Sequence, residues 1–536
     1  MNQTTTAVAT AYLLFLVLAV SACQPGPERS AVKTITTAGG DISGVASPFD
    51  TSINVYRGIP YAAPPVGERR FQPPQPALPW TGTRVADTFP NSCYQARHTS
   101  TFVWRREDFA VSEDCLYLNV WSPDGAQAAP VMVWFHGGAH TSGQGHSTIF
   151  DGTRLARSGV VLVTINYRLG PFGFLAHDWL ADESDQGAAG NYGLMDKIAA
   201  LQWVRDNIAG FGGDPGNVTV FGQSAGSQSV CSLMASTLAD NLFHKAIGQS
   251  AACFGPTPRD ADGRERGDAL VREAGAGNLD SLRSLPAEKI LAAAESSGWA
   301  NQSRIVIDGY VLTESQEATF ARGEQASIPL LAGSLSNEGI ELIPRNDALS
   351  EQRFLGWQER TFGQAADQVA RHYQALSSPG EKQHAMATDM FMDFGMRRWA
   401  EYQARSGQPT YLYYMDHEPP AFHLYMPESP VLELPGGPRS AGAYHSGDLA
   451  YVFGSHDKVG VDWTAQDRAM SETIVNYWTN FARTGSPNGE GVPAWPAFTL
   501  DDYSTQYLGH PVSSLAGGNK RELLDDMARV MPLRDR

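Results

Sequence analysis

The sequence predicts an α/β fold with a large, mostly parallel central sheet flanked by helices. Strand-like and helix-like stretches alternate through the middle of the chain, which is typical of such folds. The strand candidates are almost continuously apolar, as strands covered on both faces by helices are. The chain has 536 residues, 42% of them hydrophobic, which is enough for a large core. No linker divides the sequence after residue 30, so we predict one domain over residues 33–536.

Five stretches are the clearest strand candidates. Two of them, 131–135 and 160–165, are early apolar runs, and 218–221 reads as a central strand. Two later candidates are 328–332 and 411–415. We therefore expect these segments to lie side by side in the sheet.

Helices are predicted between the strand candidates. One is marked by apolar residues that recur at steps of three and four, so that they line one helix face: Leu194, Ile198, Leu201, Val204 and Ile208. A second helix is expected from 225 to about 235. Residues 345–405, rich in Gln, Arg, Ala and aromatic residues, are expected to be helical as well.

A serine motif lies between the central strand and the helix after it. Residues 222–226 read Gly-Gln-Ser-Ala-Gly, with Ser224 in the middle. This pattern at a strand-to-helix turn lifts the serine hydroxyl clear of the sheet, and it predicts the α/β-hydrolase fold. Glycine-rich chains also meet such a short pattern by chance. The strand before it and the helix after it favour the functional interpretation, with Ser224 as nucleophile.

A serine nucleophile needs a base, and the base needs an acid to orient it. His445 lies in a loop of small residues after the strand at 411–415, and Glu338 follows the strand at 328–332. The order Ser, Glu, His is the one this fold uses. Taken separately, Glu338 could be a turn residue and His445 a loop residue. Their joint order favours a Ser224–His445–Glu338 triad.

A glycine-rich segment follows the strand at 131–135. Residues 136–139 read His-Gly-Gly-Ala. A loop of small residues at this place can direct backbone N–H groups at the oxyanion of a tetrahedral intermediate. The alternative interpretation is an ordinary glycine turn.

The N-terminus predicts export. Residues 11–22 form a compact apolar run, shorter than the roughly 20 residues that a membrane-spanning helix needs. Residues 1–22 therefore read as a signal peptide. Cys23 follows a sequence that resembles the bacterial lipoprotein cleavage box, so we expect a lipid anchor at Cys23 and a polar tether over 23–32. No Lys or Arg precedes Arg29, and ordinary secretion is the alternative.

The remaining cysteines and the charge give further expectations. Cys93 and Cys115 can close a surface loop in an oxidising compartment. Cys231 and Cys253 stand in apolar surroundings and are expected to be buried free thiols. Cysteine and histidine spacing predicts no metal site. The net charge of −17 argues against partners such as nucleic acid or anionic lipid surfaces.

Taken together, these motifs closely resemble the type-B carboxylesterase family, which includes cholinesterases, bile-salt lipases and bacterial para-nitrobenzyl esterases. The resemblance runs from about residue 33 to residue 500. Three segments carry it: 56–62 (YRGIPYA), 113–119 (EDCLYLN) and 191–226, which contains the serine motif.

The resemblance implies a secreted carboxylic ester hydrolase with the triad Ser224, Glu338 and His445. It also implies an oxyanion hole made by the backbone N–H groups of Gly138, Ala139 and Ala225. In addition, it implies a disulfide between Cys93 and Cys115 that closes one loop. A small-molecule ester is the expected partner, with no cofactor and no metal. A lipase for long acyl chains and an inactive adhesion module on the same fold are the alternatives.

Three residues differ from the family's common pattern, either in themselves or in their surroundings. Gln223 stands where the family commonly has Glu, which weakens the case for a cationic substrate. Trp104 lies where cholinesterases keep a choline-binding tryptophan, but the surrounding residues differ, so that role is not carried over. His140 stands where many relatives have an aromatic residue, and it predicts a more polar wall beside the site.

Overall fold

The computed structural model describes residues 32–96, 102–106, 110–255, 257–301, 304–426 and 430–531. Its strands are β1 Ile35–Thr37, β2 Gly40–Ser43, β3 Val45–Ala46, β4 Ile53–Pro60, β5 Thr83–Val85, β6 Ser92–Cys93, β7 Val111–Ser112, β8 Tyr117–Pro123, β9 Ala129–Phe135, β10 Val161–Ile165, β11 Gly213–Gln223, β12 Lys245–Gln249, β13 Leu330–Leu335, β14 Thr410–Met415, β15 Thr505–Leu508 and β16 Ser513–Leu515. Its α-helices are α1 Thr153–Arg157, α2 Gly170–Phe174, α3 Asp178–Glu183, α4 Tyr192–Asn207, α5 Ala225–Met234, α6 Asp260–Ala274, α7 Leu279–Ser284, α8 Ala287–Ser296, α9 Gln316–Arg322, α10 Glu351–Phe362, α11 Ala366–Ala370, α12 Pro379–Phe391, α13 Asp393–Arg405, α14 Leu449–Val452, α15 Ala465–Thr484 and α16 Arg521–Val530.

One large mixed sheet organises the molecule. Its eleven strands run in the order β16-β15-β14-β13-β12-β11-β9-β10-β8-β4-β3. Every pairing from β10 to β15 is parallel, whereas the strands at both ends pair antiparallel. The predicted α/β-hydrolase fold with a mostly parallel sheet is confirmed.

The apolar strands divide the core between the two faces of the sheet. In β9, Val131 and Val133 pack into one hydrophobic cluster, and Met132 and Trp134 pack into the other. All four side chains are fully buried. Alternating contacts of this kind require a strand that is apolar at every position, which is what the sequence displays.

The predicted elements are found with small shifts at their ends. Helix α4 begins at Tyr192, slightly before the apolar periodicity, and most of its residues are buried on more than one side. The helical stretch expected over 345–405 contains α10 to α13. Helices α10 to α13 and the C-terminal helix α16 contribute to a small separate hydrophobic cluster.

The cysteine pairing partly differs from expectation. Cys93 and Cys115 form a disulfide, as the resemblance implied. Cys231 and Cys253 form a second disulfide, so the prediction of free thiols was wrong. Cys231 lies on α5, and Cys253 follows β12, which pairs with β11 directly before α5. The sequence interpretation had not identified β12, and without it the two cysteines had no reason to meet.

The N-terminal predictions lie outside the described residues. The signal peptide, Cys23 and all of the tether but its last residue belong to residues 1–31. Within the described ranges, no helix is both long and apolar enough to span a membrane.

Candidate active site

The serine motif forms the sharp turn that the sequence predicts. Ser224 connects β11 to α5 with φ 56° and ψ −125°, a backbone conformation that residues other than glycine rarely adopt. Its N–H donates to the carbonyl oxygen of Gln249 on β12 at 2.8 Å, and its own carbonyl accepts from Gln228 at 2.9 Å. These bonds hold the strained turn, and the Ser224 residue remains partly exposed.

The two glycines of the motif are needed because the backbone is crowded there. A Cβ on Gly226 would lie 1.9 Å from the carbonyl oxygen of Phe135, at the end of β9. A Cβ on Gly222 would lie 2.4 Å from the backbone of Gly226. Helix α5 therefore packs against β9 at a distance that no larger residue allows.

The acid lies three residues past the end of β13. Glu338 is fully buried, and its Oε1 accepts the N–H of Leu335 at 2.9 Å. Its Oε2 accepts from Nδ1 of His445 at 2.6 Å. Because an ionised carboxylate only accepts, this bond places the imidazole proton on Nδ1 and a lone pair on Nε2.

The loops that carry the acid and the base are bonded to each other. The backbone N–H of Asn337 donates to the carbonyl of Ala443 at 3.0 Å. The side-chain amide of Asn337 donates to the carbonyl of Ala441 at 2.7 Å. Glu338 and His445 are therefore brought together by their main chains as well as by their side chains.

The free nitrogen of the imidazole faces Gln223. The amide Nε2 of Gln223 lies 3.1 Å from Nε2 of His445, and both residues are 2% exposed. Within the described part of the chain, the Ser224 hydroxyl makes no hydrogen bond to His445. The structure thus joins base to acid directly, and Gln223, the residue before Ser224, contacts the base from the other side.

The glycine-rich loop after β9 lies against the nucleophile. A Cβ on Gly137 would be 3.2 Å from Cβ of Ser224. Gly138 and Ala139 have φ of 110° and 52°, so the loop turns sharply. No hydrogen bond from the N–H of Gly138 or Ala139 is found among the described residues. Ala225 begins α5, where helical N–H groups have no acceptor within the helix. None of the three implied donors therefore has a hydrogen-bond acceptor among the described residues.

A buried carboxyl lies behind the triad. Asp448 is 2% exposed, and its Oδ2 accepts from the Gln249 amide at 2.7 Å and from the Tyr413 hydroxyl at 3.2 Å. Its Oδ1 has no hydrogen-bond partner in the described structure. Burial is the main cause that raises the pKa of Asp448 to about 6, and the nearby charge of Glu338 contributes in the same direction. Sequence reasoning missed this residue, although it follows His445 by only three positions.

A second buried carboxylate anchors the loop of the base. Asp467, at the start of α15, is fully buried. Its two oxygens accept from His417 Nε2 at 2.7 Å, from the Tyr451 hydroxyl at 2.7 Å, and from Arg439 Nη2 at 2.6 Å. Burial opposes its charge, but hydrogen bonds from these residues and Thr464 outweigh burial and hold the pKa of Asp467 well below its usual range. In the sequence, Arg439 precedes His445 by six residues and Tyr451 follows it by six.

Two side chains singled out in the sequence also lie near the triad. The Trp104 ring packs edge-on against His445 at 6.0 Å, and its Nε1 donates to the Ser446 hydroxyl at 3.2 Å. His140 is buried, and its Nε2 lies 3.1 Å from Oε1 of Gln228. Burial lowers the pKa of His140 well below its ordinary value, so this imidazole is a neutral polar group.

Metal ligation has no candidate among the residues that the structure describes. No group of three or more His, Cys, Asp or Glu side chains is arranged there to hold an ion.

Comparison with known families identifies relatives over nearly the whole chain. The model of the carboxylesterase family matches residues 31 to 521. Carboxylesterase 5A of Felis catus is 36% identical over 510 residues, which cover 88% of each chain. The para-nitrobenzyl esterase of Bacillus subtilis is 34% identical over 494 residues, which cover 89% of this chain and 95% of the relative.

Solved structures give the same picture. A PNB esterase superimposes with a TM-score of 0.80 at 33% identity, covering 92% of this chain and 99% of the other. A carboxylesterase of Geobacillus stearothermophilus has a TM-score of 0.78 at 33% identity, covering 91% and 98% of the two chains.

Proposed function

Because the chain belongs to the carboxylesterase family, we propose that it hydrolyses carboxylic esters through an acyl-enzyme intermediate on Ser224. The observation that carries the proposal is the 2.6 Å bond between Glu338 and Nδ1 of His445. It leaves a lone pair on Nε2, the atom that lies 3.1 Å from the side chain of Gln223, the residue before the serine. Such an imidazole can remove a proton from a neighbouring hydroxyl.

The first half of the reaction transfers the acyl group to the enzyme. As Oγ of Ser224 attacks the ester carbonyl, its proton moves to Nε2 of His445. The carbonyl oxygen becomes an oxyanion and accepts hydrogen bonds from the N–H groups of Gly138, Ala139 and Ala225. When the tetrahedral intermediate collapses, the bond to the alcohol breaks, and His445 protonates the departing oxygen.

The second half returns the enzyme to its starting state. His445 removes a proton from water, whose oxygen attacks the acyl carbon. The bond to Oγ then breaks, His445 returns the proton to Ser224, and the carboxylic acid leaves. Glu338 remains ionised throughout and stabilises the imidazolium through the bond to Nδ1.

The experiment that tests the assignment is Ser224→Ala, measured with aryl esters of graded acyl length. We expect kcat to fall by about 10⁴- to 10⁶-fold with an unchanged fold, because the covalent intermediate cannot form. Ser227→Ala is a matched control, since Ser227 lies on the same helix and its hydroxyl is bonded to the carbonyl of Ala251. Substantial turnover by Ser224→Ala would refute the triad.

Labelling by an organophosphate provides a second readout. A working triad reacts covalently at Ser224, whereas an adhesion module on the same fold leaves the reagent untouched. Mass spectrometry of the labelled peptide therefore separates the two functions without knowledge of the natural ester.

We also propose that the single domain of residues 33–536 is exported and anchored by lipid at Cys23. The two disulfides support export, since such bonds persist in oxidising compartments. Incorporation of labelled fatty acid, present in the wild type and absent in Cys23→Ser, tests the anchor. An unlabelled wild type in the soluble fraction would instead indicate ordinary secretion.

A further inference from the structure

The side chain of Gln223 lies at the nitrogen of His445 that the Ser224 hydroxyl must reach in the reaction. Its amide nitrogen lies 3.1 Å from Nε2 of His445. Since the proton of the neutral imidazole is on Nδ1, Nε2 is an acceptor, and the Gln223 amide N–H is the donor. The side chain of the residue before the nucleophile therefore contacts the same atom that must accept the serine proton.

Burial makes this contact effective. Gln223, His445 and Glu338 are each at most 2% exposed, so water does not compete freely for Nε2. A hydrogen bond to the lone pair stabilises the neutral imidazole and is lost when Nε2 is protonated. The amide therefore opposes protonation of His445, whereas the Glu338 carboxylate at Nδ1 favours it.

Among the described residues, two carboxyl groups lie near the imidazole. Glu338 lies at the end of β13, and Asp448 lies at the start of α14. Tyr413 on β14 bonds to Asp448, and Trp104 contributes a neutral ring. Glu338 favours the imidazolium, and Asp448 does so only when it is ionised, above about pH 6. The Gln223 amide favours the neutral base.

We propose that Gln223 is a further catalytic residue, whose amide caps Nε2 of His445 in the resting enzyme and keeps the base unprotonated at mildly acidic pH. The inference rests on the proposed function, because it concerns the same base. In the reaction, the Ser224 hydroxyl replaces the amide at Nε2 before its proton is transferred. The consequence is an esterase that remains active at a lower pH than one with an uncapped base.

Two variants of Gln223 test the proposal through the acid limb of the pH profile of kcat/KM. Gln223→Met keeps the length of the side chain but removes the donor. Loss of this hydrogen bond should raise the midpoint of the acid limb by about 0.5 to 1 pH unit. Gln223→Glu places a carboxylate against the imidazole and should raise the midpoint by about 1 to 3 units. The expected order of midpoints is wild type, Met, then Glu.

A matched control separates this effect from general loss of an amide. Gln228→Met removes a side chain of the same type one helical turn beyond Ser224, where the partner is His140. Its midpoint should equal that of the wild type. A role of Gln223 in packing alone would lower kcat without moving the midpoint.

The outcomes distinguish the inference from the proposed function. Equal midpoints in the wild type and Gln223→Met, or a lower midpoint in Gln223→Glu, would overturn the cap while leaving ester hydrolysis intact. If the Glu variant does not fold, the Met variant decides alone. Failure of the proposed function would show instead as turnover that survives Ser224→Ala.

Discussion

The two sides of the candidate site are built in different ways. The serine side is one continuous stretch, from β11 through Ser224 into α5, and close backbone contacts hold its shape. The histidine side is an irregular loop between β14 and α14, held by side chains from distant parts of the chain. Asn337 and Asp467 are among the residues that bind this loop from outside.

The difference shows that close steric contacts position the serine, whereas charges and hydrogen bonds position the histidine. On the serine side, a glycine is required because backbone atoms lie where a Cβ would be. On the histidine side, a buried carboxylate is required because it bonds to residues on both flanks of His445. Substitutions on the serine side should therefore act through shape, and those on the histidine side through charge and hydrogen bonds.

Among the substitutions that test this contrast, the one that fills the close contact on the serine side should lower activity most. Gly226→Ala should lower kcat/KM by about a hundredfold or more, because the new Cβ would displace α5 and Ser224 from the oxyanion loop. The free energy of unfolding should fall as well, by about 1–3 kcal/mol, as overpacking usually costs. Steady-state kinetics with an aryl ester and urea unfolding measure the two effects.

A glycine in open space provides the control for this substitution. Gly277 has no atom within 4 Å of an added Cβ. Gly277→Ala should keep the activity of the wild type. If Gly226→Ala also kept it, backbone crowding would not be what positions the serine.

A smaller effect is expected from the charged anchor of the histidine side. Asp467→Asn should lower kcat by about tenfold to a hundredfold, because Arg439 and Tyr451 would hold the loop of His445 less firmly. KM should change little, since Asp467 lies behind the loop. Kinetics over a range of ester concentrations separate the two constants.

The control for Asp467 is an aspartate at the same helix position elsewhere. Asp262 is the third residue of α6, as Asp467 is of α15, and each accepts the backbone N–H of the residue before its helix. Asp262→Asn should leave kcat unchanged. Equal losses of kcat in both variants would mean that helix capping, not the anchoring of His445, is what Asp467 provides.

The same contrast explains how far the sequence predicted the site. The serine turn could be predicted from adjacent residues, because strand, motif and helix follow one another. Glu338 and His445 could be chosen only through their order along the chain, and they do meet at 2.6 Å. The triad as a whole stays a prediction until catalysis is measured.

Other features depend on contacts that no local pattern displays. The Cys231–Cys253 disulfide follows from the pairing of β11 with β12, and β12 was not recognised because its sequence, KAIGQ, is short and only partly apolar. Asp448 is separated from Gln249 by 199 positions, so its burial and its hydrogen bonds were not visible in the sequence. The Gln223–His445 contact, across 222 positions, required the fold as well.

Asp448 is expected to cause a pH dependence of stability on the histidine side. Burial, the largest cause, raises its pKa from 3.8 to about 6, so the folded state holds this proton more tightly than the unfolded chain. The stability that results is fully present below pH 4 and is lost as the pH rises through about 6.

Asp448→Asn stays neutral, so above pH 7 its free energy of unfolding should exceed that of the wild type by up to about 3 kcal/mol. Below pH 4 the two proteins should agree, and urea unfolding at pH 4 and pH 8 measures both differences. A wild type that remained as stable as the variant at pH 8 would mean that Gln249 and Tyr413 fully compensate the buried charge.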